Sequence, residues 1–186
     1  LALAPGTPVI GLVGHLIEQK RPERALEVLT RVRASGVDAH LVVAGTGPLE
    51  PEFVADARRR TLTDAVHLLG NRDDVETVLG ALDLLLLTSD AEGIPGIVIE
   101  AQMTGCPVVT FPVGAVGAVV EDGETGVVVA RSDTHLMADA VVKLLQEPEL
   151  RHALGAEGRR RAGQFSTGRA AREYATRLEA LRHARV

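Results

Sequence analysis

The chain has 186 residues, with 20 Lys and Arg against 25 Asp and Glu, and so a formal charge of −5. This suits one globular domain and argues against a basic nucleic-acid footprint. Hydrophobic residues make up 46% of the sequence, yet Phe53, Phe111, Phe165 and Tyr174 are its only aromatics; the core must come from Leu, Val, Ile and Ala, and aromatic stacking platforms are nearly excluded. Cys106 is the single cysteine, so neither an intrachain disulfide nor a cysteine zinc cluster can form, which favours a reducing compartment. No apolar run reaches the roughly 18 residues of a membrane span. The sequence begins at Leu1, and its only methionines are Met103 and Met137. The expectation is a piece of a longer protein in the cytoplasm, with peripheral membrane contact possible only through the absent part.

A short apolar run, a Gly- or Pro-rich turn and a helical stretch repeat until about residue 147, the rhythm of a parallel α/β sheet. Val9 to Gly14 reads as the first strand. A helix follows from about Pro22 to Ala34, with Ala25, Leu26, Leu29 and Val32 on one face. His40 to Ala44 is the second strand, Gly45-Thr46-Gly47-Pro48 turns into a helix ending near Thr61, and Val66 to Leu69 is a short third strand. Asp74 starts a brief helix. Leu84 to Leu87 is uninterrupted and apolar, as in a strand covered on both faces. Pro95 opens a helix that stops at Gly105, and Pro107 to Phe111 is the fifth strand. Val113 to Glu121 holds too many glycines to assign. Thr125 to Ala130 is the last strand, Ser132 or Asp133 caps a helix through Leu145, and everything after Pro148 reads as charged helix. The predicted fold is a doubly wound, mainly parallel, six-stranded Rossmann-like sheet with extra C-terminal helices.

In such a sheet, ligands bind beyond the carboxyl ends of the strands. The loop after the fourth strand reads Glu92-Gly93-Ile94-Pro95-Gly96-Ile97-Val98-Ile99-Glu100. Pro95 suits a first helical position, the amides of Gly96, Ile97 and Val98 are then free, and the two glycines let a ligand approach the backbone; this is an anion site. Glu100 follows an apolar run on a helix expected to pack on the sheet. A partly buried carboxylate needs donors, which vicinal ribose hydroxyls could supply; capping of a neighbouring helix or pairing with an arginine is the open alternative. Glu92 alone could be a solvated loop residue. The loop after the first strand, Gly14-His15-Leu16-Ile17-Glu18-Gln19-Lys20, lies beside it at the switch point. Lys20 could reach a diphosphate as a point charge, or form with Arg21 the solvated start of a helix. His15 is either a second phosphate donor or an exposed loop histidine.

Other signals are weaker. Gly45-Thr46-Gly47 lacks the third glycine of a dinucleotide fingerprint, since Glu50 stands there, and reads as a tight turn. Asp90 and Glu92 have no third clustered ligand for a cation, so no metal is expected. The six histidines are scattered singly. The runs Arg58-Arg59-Arg60 and Arg159-Arg160-Arg161 read as solvated helix faces.

Glu92 to Glu100 matches the E-x(7)-E signature of retaining glycosyltransferases with the GT-B fold, the large group often called family 4. Gly14-x-Leu16-x-x-x-Lys20, Ala44-Gly45-x-Gly47-Pro48, Leu69-Gly70, Glu100-Ala101, Gly105-x-Pro107-Val108-Val109 and Glu121-Asp122-Gly123-Glu124-Thr125-Gly126 follow in family order. The chain thus resembles the C-terminal, donor-binding half of such an enzyme. The resemblance implies that residues 1–8 end an interdomain linker, that 9–186 bind a nucleotide sugar carrying UDP or GDP, and that an N-terminal acceptor domain is the missing partner. It also implies that Glu100 holds the ribose, Glu92 contacts the donor sugar, the amides at Gly96 and Ile97 receive the distal phosphate, and Lys20 stabilises the leaving diphosphate without a metal. The implied donor-binding set is Gly14, His15, Lys20, Arg72, Gly93, Ile94, Gly96, Ile97, Val98 and Glu100, with the base near Gly70 to Arg72.

Three positions depart from the family. His15 replaces its usual phosphate-binding arginine, which puts the pH dependence of phosphate affinity in question. Gly114-Ala115-Val116-Gly117-Ala118 lacks its usual glutamate. Pro95 has no amide hydrogen to offer. Three competing readings are an NAD-type dinucleotide-binding domain, a GT-B-like epimerase or phosphorylase, and an inactive scaffold.

Overall fold

The computed structural model describes residues 3–130 and 132–165. The end of the linker at Leu1 and Ala2, and the charged helix expected past residue 165, fall outside the described residues. Six strands, Val9–Val13 (β1), His40–Ala44 (β2), Val66–Gly70 (β3), Leu84–Leu87 (β4), Val108–Thr110 (β5) and Gly126–Val128 (β6), form one sheet in the order β3-β2-β1-β4-β5-β6. Every adjacent pair is parallel. Among the described residues, six α-helices connect or cover them: Glu23–Ala34 (α1), Glu50–Arg59 (α2), Val75–Gly80 (α3), Gly96–Thr104 (α4), Thr134–Gln146 (α5) and Pro148–Ala162 (α6). None among the described residues is long and apolar enough to cross a membrane.

β4 shows why the apolar run had to be a central strand. Leu84 and Leu86 pack into one core with α1, α2 and α5, while Leu85 and Leu87 pack into another with α3 and α4, because successive side chains leave opposite faces of a pleated strand. On α1, Ala25, Leu26, Leu29 and Val32 are buried as their spacing predicts, joined by Val28. The chain reverses direction across the sheet between β1 and β4, which are hydrogen-bonded neighbours. That crossover is the topological switch point where a doubly wound sheet opens a crevice.

Several boundaries differ from expectation. β1 stops at Val13, β5 contracts to Val108–Thr110 and β6 to Gly126–Val128. The unassigned stretch after β5 contains one 3₁₀ turn, Val116–Ala118. Asp133, not Ser132, caps α5, accepting the amides of His135 and Leu136. The arginine runs are not merely solvated faces. Arg59 and Arg60 reach back to Asp56. Arg159 donates to the carbonyls of Met103 and Thr104 at the end of α4, where unpaired carbonyls attract a cation. Arg160 pairs with Glu157, and Arg161 with Glu121, Glu124 and Glu157.

The histidines are not all single either. His40 and His67, on neighbouring strands, stack at 5.1 Å between ring centroids, with Nδ1 of His40 2.8 Å from Nε2 of His67. Burial and the adjacent His40 hold the His67 imidazole below its usual value of 6.5. The unfolded chain therefore binds more protons than the folded one once the pH falls below about 6.5. Full stability is present above that pH and declines as the pH drops toward the lowered folded value. Urea midpoints should fall between pH 7.5 and 5.5, and His67→Gln should flatten that dependence; an unchanged slope in the variant would assign it to other groups.

Candidate functional site

Because β1 and β4 are neighbours, the loops leaving their carboxyl ends run side by side and are tied together by hydrogen bonds. The Asp90 amide donates to the Gln19 carbonyl at 2.9 Å, Gln19 Nε2 to the Ala91 carbonyl at 2.8 Å, and Thr88 Oγ1 to the Lys20 carbonyl at 2.9 Å. Arg24, in the first turn of α1, donates to the Thr88 carbonyl at 2.9 Å and pairs with Asp90 at 2.6 Å, with its guanidinium 5.6 Å from the centre of the Phe111 ring. These contacts set the separation of Lys20 and Glu92. Lys20 Nζ lies 2.7 Å from Glu92 Oε1, which also accepts the Ser89 hydroxyl at 2.6 Å. The Glu92 side chain is 7% exposed and that of Lys20 28%. Both donors converge on Oε1, so Oε2 accepts no hydrogen bond among the described residues. A 72-residue separation in sequence thus becomes one ion pair at the mouth of the crevice.

The loop after β2 presses on the loop after β1. A Cβ at Gly45 would stand 2.0 Å from the Gly14 carbonyl oxygen, and the residue has φ of +140°; only glycine supplies that approach and that backbone. The tight-turn reading of Gly45-Thr46-Gly47 therefore has a tertiary cause. The Leu16 amide donates to Thr46 and the Leu49 amide to Leu16, holding the loop in place. His15 projects exposed from it. Gly14, His15, Lys20, Thr88 and Ser89 line one small cavity.

On the far wall, Pro95 is the N-cap of α4 rather than its first helical residue, with ψ of 98°. The consequence is a correction of one residue. Val98 donates its amide to the Pro95 carbonyl at 3.0 Å, leaving Gly96 and Ile97 as the amides with no acceptor among the described residues. Ile94 is lifted out and 69% exposed. Glu100 also differs from expectation, for it is exposed. α4 is apolar on nearly all sides but buries only Val98, Ala101 and Gln102, and Glu100 falls outside that arc. It needs no capping partner or arginine, and its carboxylate is open to solvent.

The loop after β5 supports Glu92 from behind. Ala115 donates its amide to the Gly93 carbonyl at 3.2 Å. Arg72, expected from the family resemblance to lie near the base, is in the loop after β3, exposed, and donates through Nε and Nη2 to Asp74, each at 2.7 Å. That bond holds the Asp74 carboxyl below its usual range and explains why Asp74 starts α3 without a side-chain cap.

Asp90, considered as a cation ligand with Glu92, is occupied by Arg24 and Arg21. Burial pushes the Cys106 thiol up to about 12, so thiolate chemistry there is unavailable at neutral pH. Arg24 and Ser89 were missed in the sequence. Neither has a spacing signal, since their roles come from contacts between the first-strand and fourth-strand loops. An arginine leading the apolar stripe of α1 was the only available hint.

An open parallel sheet with a lysine–carboxylate pair and free helix amides at its switch point defines a doubly wound domain whose crevice offers hydrogen-bond donors. The chain belongs to the family described as glycosyl transferases group 1, whose model matches residues 1–161. It is 32% identical over 149 residues to the alpha-D-kanosaminyltransferase of Streptomyces kanamyceticus, covering 79% of this chain and 39% of that protein. Among solved structures, it is similar to Anabaena HepE in complex with UDP, with a TM-score of 0.87 and 21% identity over 94% of this chain and 49% of that one. A structure of the C-terminal domain of a Francisella tularensis glycosyl transferase group 1 protein, LpcC, aligns with a TM-score of 0.75 and 23% identity, covering 83% of this chain and 84% of that one. At these identities the structural likenesses speak to the fold. The chain spans about two fifths of the length of the curated relatives it matches.

Proposed function

We propose that this chain is the donor-binding half of a retaining glycosyltransferase that takes a UDP-sugar or GDP-sugar and needs no metal. The observation that carries this reading is the ion pair of Lys20 Nζ with Glu92 at 2.7 Å, in the loop that leads into the unpaired amides of Gly96 and Ile97 at the start of α4. A diphosphate set against those amides gains the positive end of α4 and a mobile ammonium. As the glycosidic bond breaks, charge grows on the leaving diphosphate, and Lys20 with the two amides provides the stabilisation that a bound cation gives in other sites. Glu92, fixed through Oε1, keeps Oε2 for a hydroxyl of the donor sugar. Glu100, open to solvent one turn further along α4, accepts the two ribose hydroxyls. The base lies toward Gly70 to Arg72, where Arg72 would have to leave Asp74 to take part.

Residues 9–186 form the nucleotide-sugar unit in this reading, and an N-terminal acceptor domain completes the enzyme. The chain alone binds donor without turnover, and the cytoplasm, where nucleotide sugars are made, is its compartment. Calorimetric titration with UDP, GDP, ADP and NAD in EDTA tests the proposal. One nucleoside diphosphate should bind selectively, and Glu100→Ala should weaken it by at least about 10-fold, the value of one hydrogen bond to a charged group. Binding of NAD in preference would overturn the assignment.

A further inference from the structure

We propose that His15 makes donor binding proton-linked, so that the site takes up a proton at His15 as the diphosphate enters and binds more tightly as the pH falls. This rests on the donor-site reading above. The inference comes from counting charge around the cavity that His15 and Lys20 line together. Lys20 is already neutralised by Glu92. Arg24 and Arg21 are matched by Asp90 and Glu23, and Arg72 by Asp74. Glu18, on the 3₁₀ turn beside Lys20, and Glu100, on α4, are exposed and negative; Glu50 opens α2 and Asp73 precedes α3.

No surplus fixed positive side chain therefore stands in this crevice among the described residues. A diphosphate at this cavity meets the neutral Lys20–Glu92 pair and an imidazole, and in the donor-site reading its two charges have only the α4 amides besides. His15 accepts and donates no side-chain hydrogen bond among the described residues, so nothing has to break when it turns to a phosphate. Imidazole is the side chain whose charge changes between pH 5 and 8, and an anion alongside favours its charged form. Proton uptake on binding follows.

A nucleotide sugar is the right probe, because its diphosphate is a diester and lacks the terminal phosphate ionisation near pH 6 that would itself couple to binding. UDP-glucose and GDP-mannose would be titrated into the chain from about pH 5.5 to 8.5, at fixed ionic strength and in buffers of low and high ionisation enthalpy. Affinity for the better donor should be roughly 3- to 10-fold higher at pH 6 than at pH 8, with measurable proton uptake near neutral pH. His15→Gln should bind weakly with a flat profile, and His15→Arg tightly with a flat profile. A pH slope and proton uptake that survive His15→Gln would overturn the assignment to His15 and point to Glu92, released from Lys20. Absence of binding by every form, His15→Arg included, would overturn the donor-site reading and this inference with it.

Discussion

Lys20→Ala is expected to weaken nucleoside-diphosphate binding by about 10- to 100-fold, the equivalent of about 1.5–3 kcal/mol for a hydrogen bond to a charged group. Two effects add. The ammonium that would meet the phosphates is removed, and Glu92, 7% exposed, keeps only the Ser89 hydroxyl as a charged-state partner at the anion's doorstep. A carboxylate left beside an incoming diphosphate repels it. The double variant Lys20→Ala/Glu92→Gln separates the two, because it removes the stranded charge while leaving the ammonium absent. If it regains part of the lost affinity, repulsion by the unpaired Glu92 carboxylate accounts for that part of the loss. Lys20→Arg should not restore full binding, since the guanidinium is planar and larger than the ammonium that pairs with Glu92 Oε1. Wild-type affinity in Lys20→Ala would remove Lys20 from the site.

Gly114→Ala should be the most damaging small substitution near the crevice. Its Cβ would lie 1.7 Å from the Glu92 carbonyl oxygen, and its φ of +53° disfavours any side chain. The colliding atom is backbone, so no rotamer relieves the overlap. Either the loop after β5 or the Glu92 segment has to move, at a cost of about 2–4 kcal/mol from overpacking and backbone strain together. Displacing the segment would shift Glu92 relative to Lys20, and donor binding should fall with stability. Gly117→Ala is the internal control. It lies three residues on, with open space around its Cβ position, and should change the urea midpoint little. Equal behaviour of the two variants would refute the steric account.

Chain order and periodicity made much of this protein legible. The strand at Leu84–Leu87, the buried stripe of α1, the stop at Gly105 and the loop from Glu92 to Glu100 follow from local physics: side chains alternate on strands, recur on helices, and break where glycine or proline changes the backbone. The short strands β5 and β6 are less legible, because their ends depend on how many partners the neighbouring strand offers. Arg159 and Arg161 read as surface charge in sequence, and only the packing of α6 against α4 and the Glu121–Glu124 turn gives them partners. Glu100 looked half-buried because three apolar residues precede it, yet α4 buries only a narrow arc, and its orientation on the sheet is a tertiary choice.

By itself the sequence determined the order of strands and helices, the apolar composition of both cores, and which loop carried two carboxylates beside a helix start. Only the tertiary structure decided that Lys20 and Glu92 form a pair, that Arg24 and Ser89 hold it, that Gly45 and Gly114 are places where one backbone rests on another, and that His40 stacks on His67. Each of those depends on two segments distant along the chain meeting at a particular distance and angle. A local pattern states what a segment prefers, but only the packed sheet states what stands opposite it.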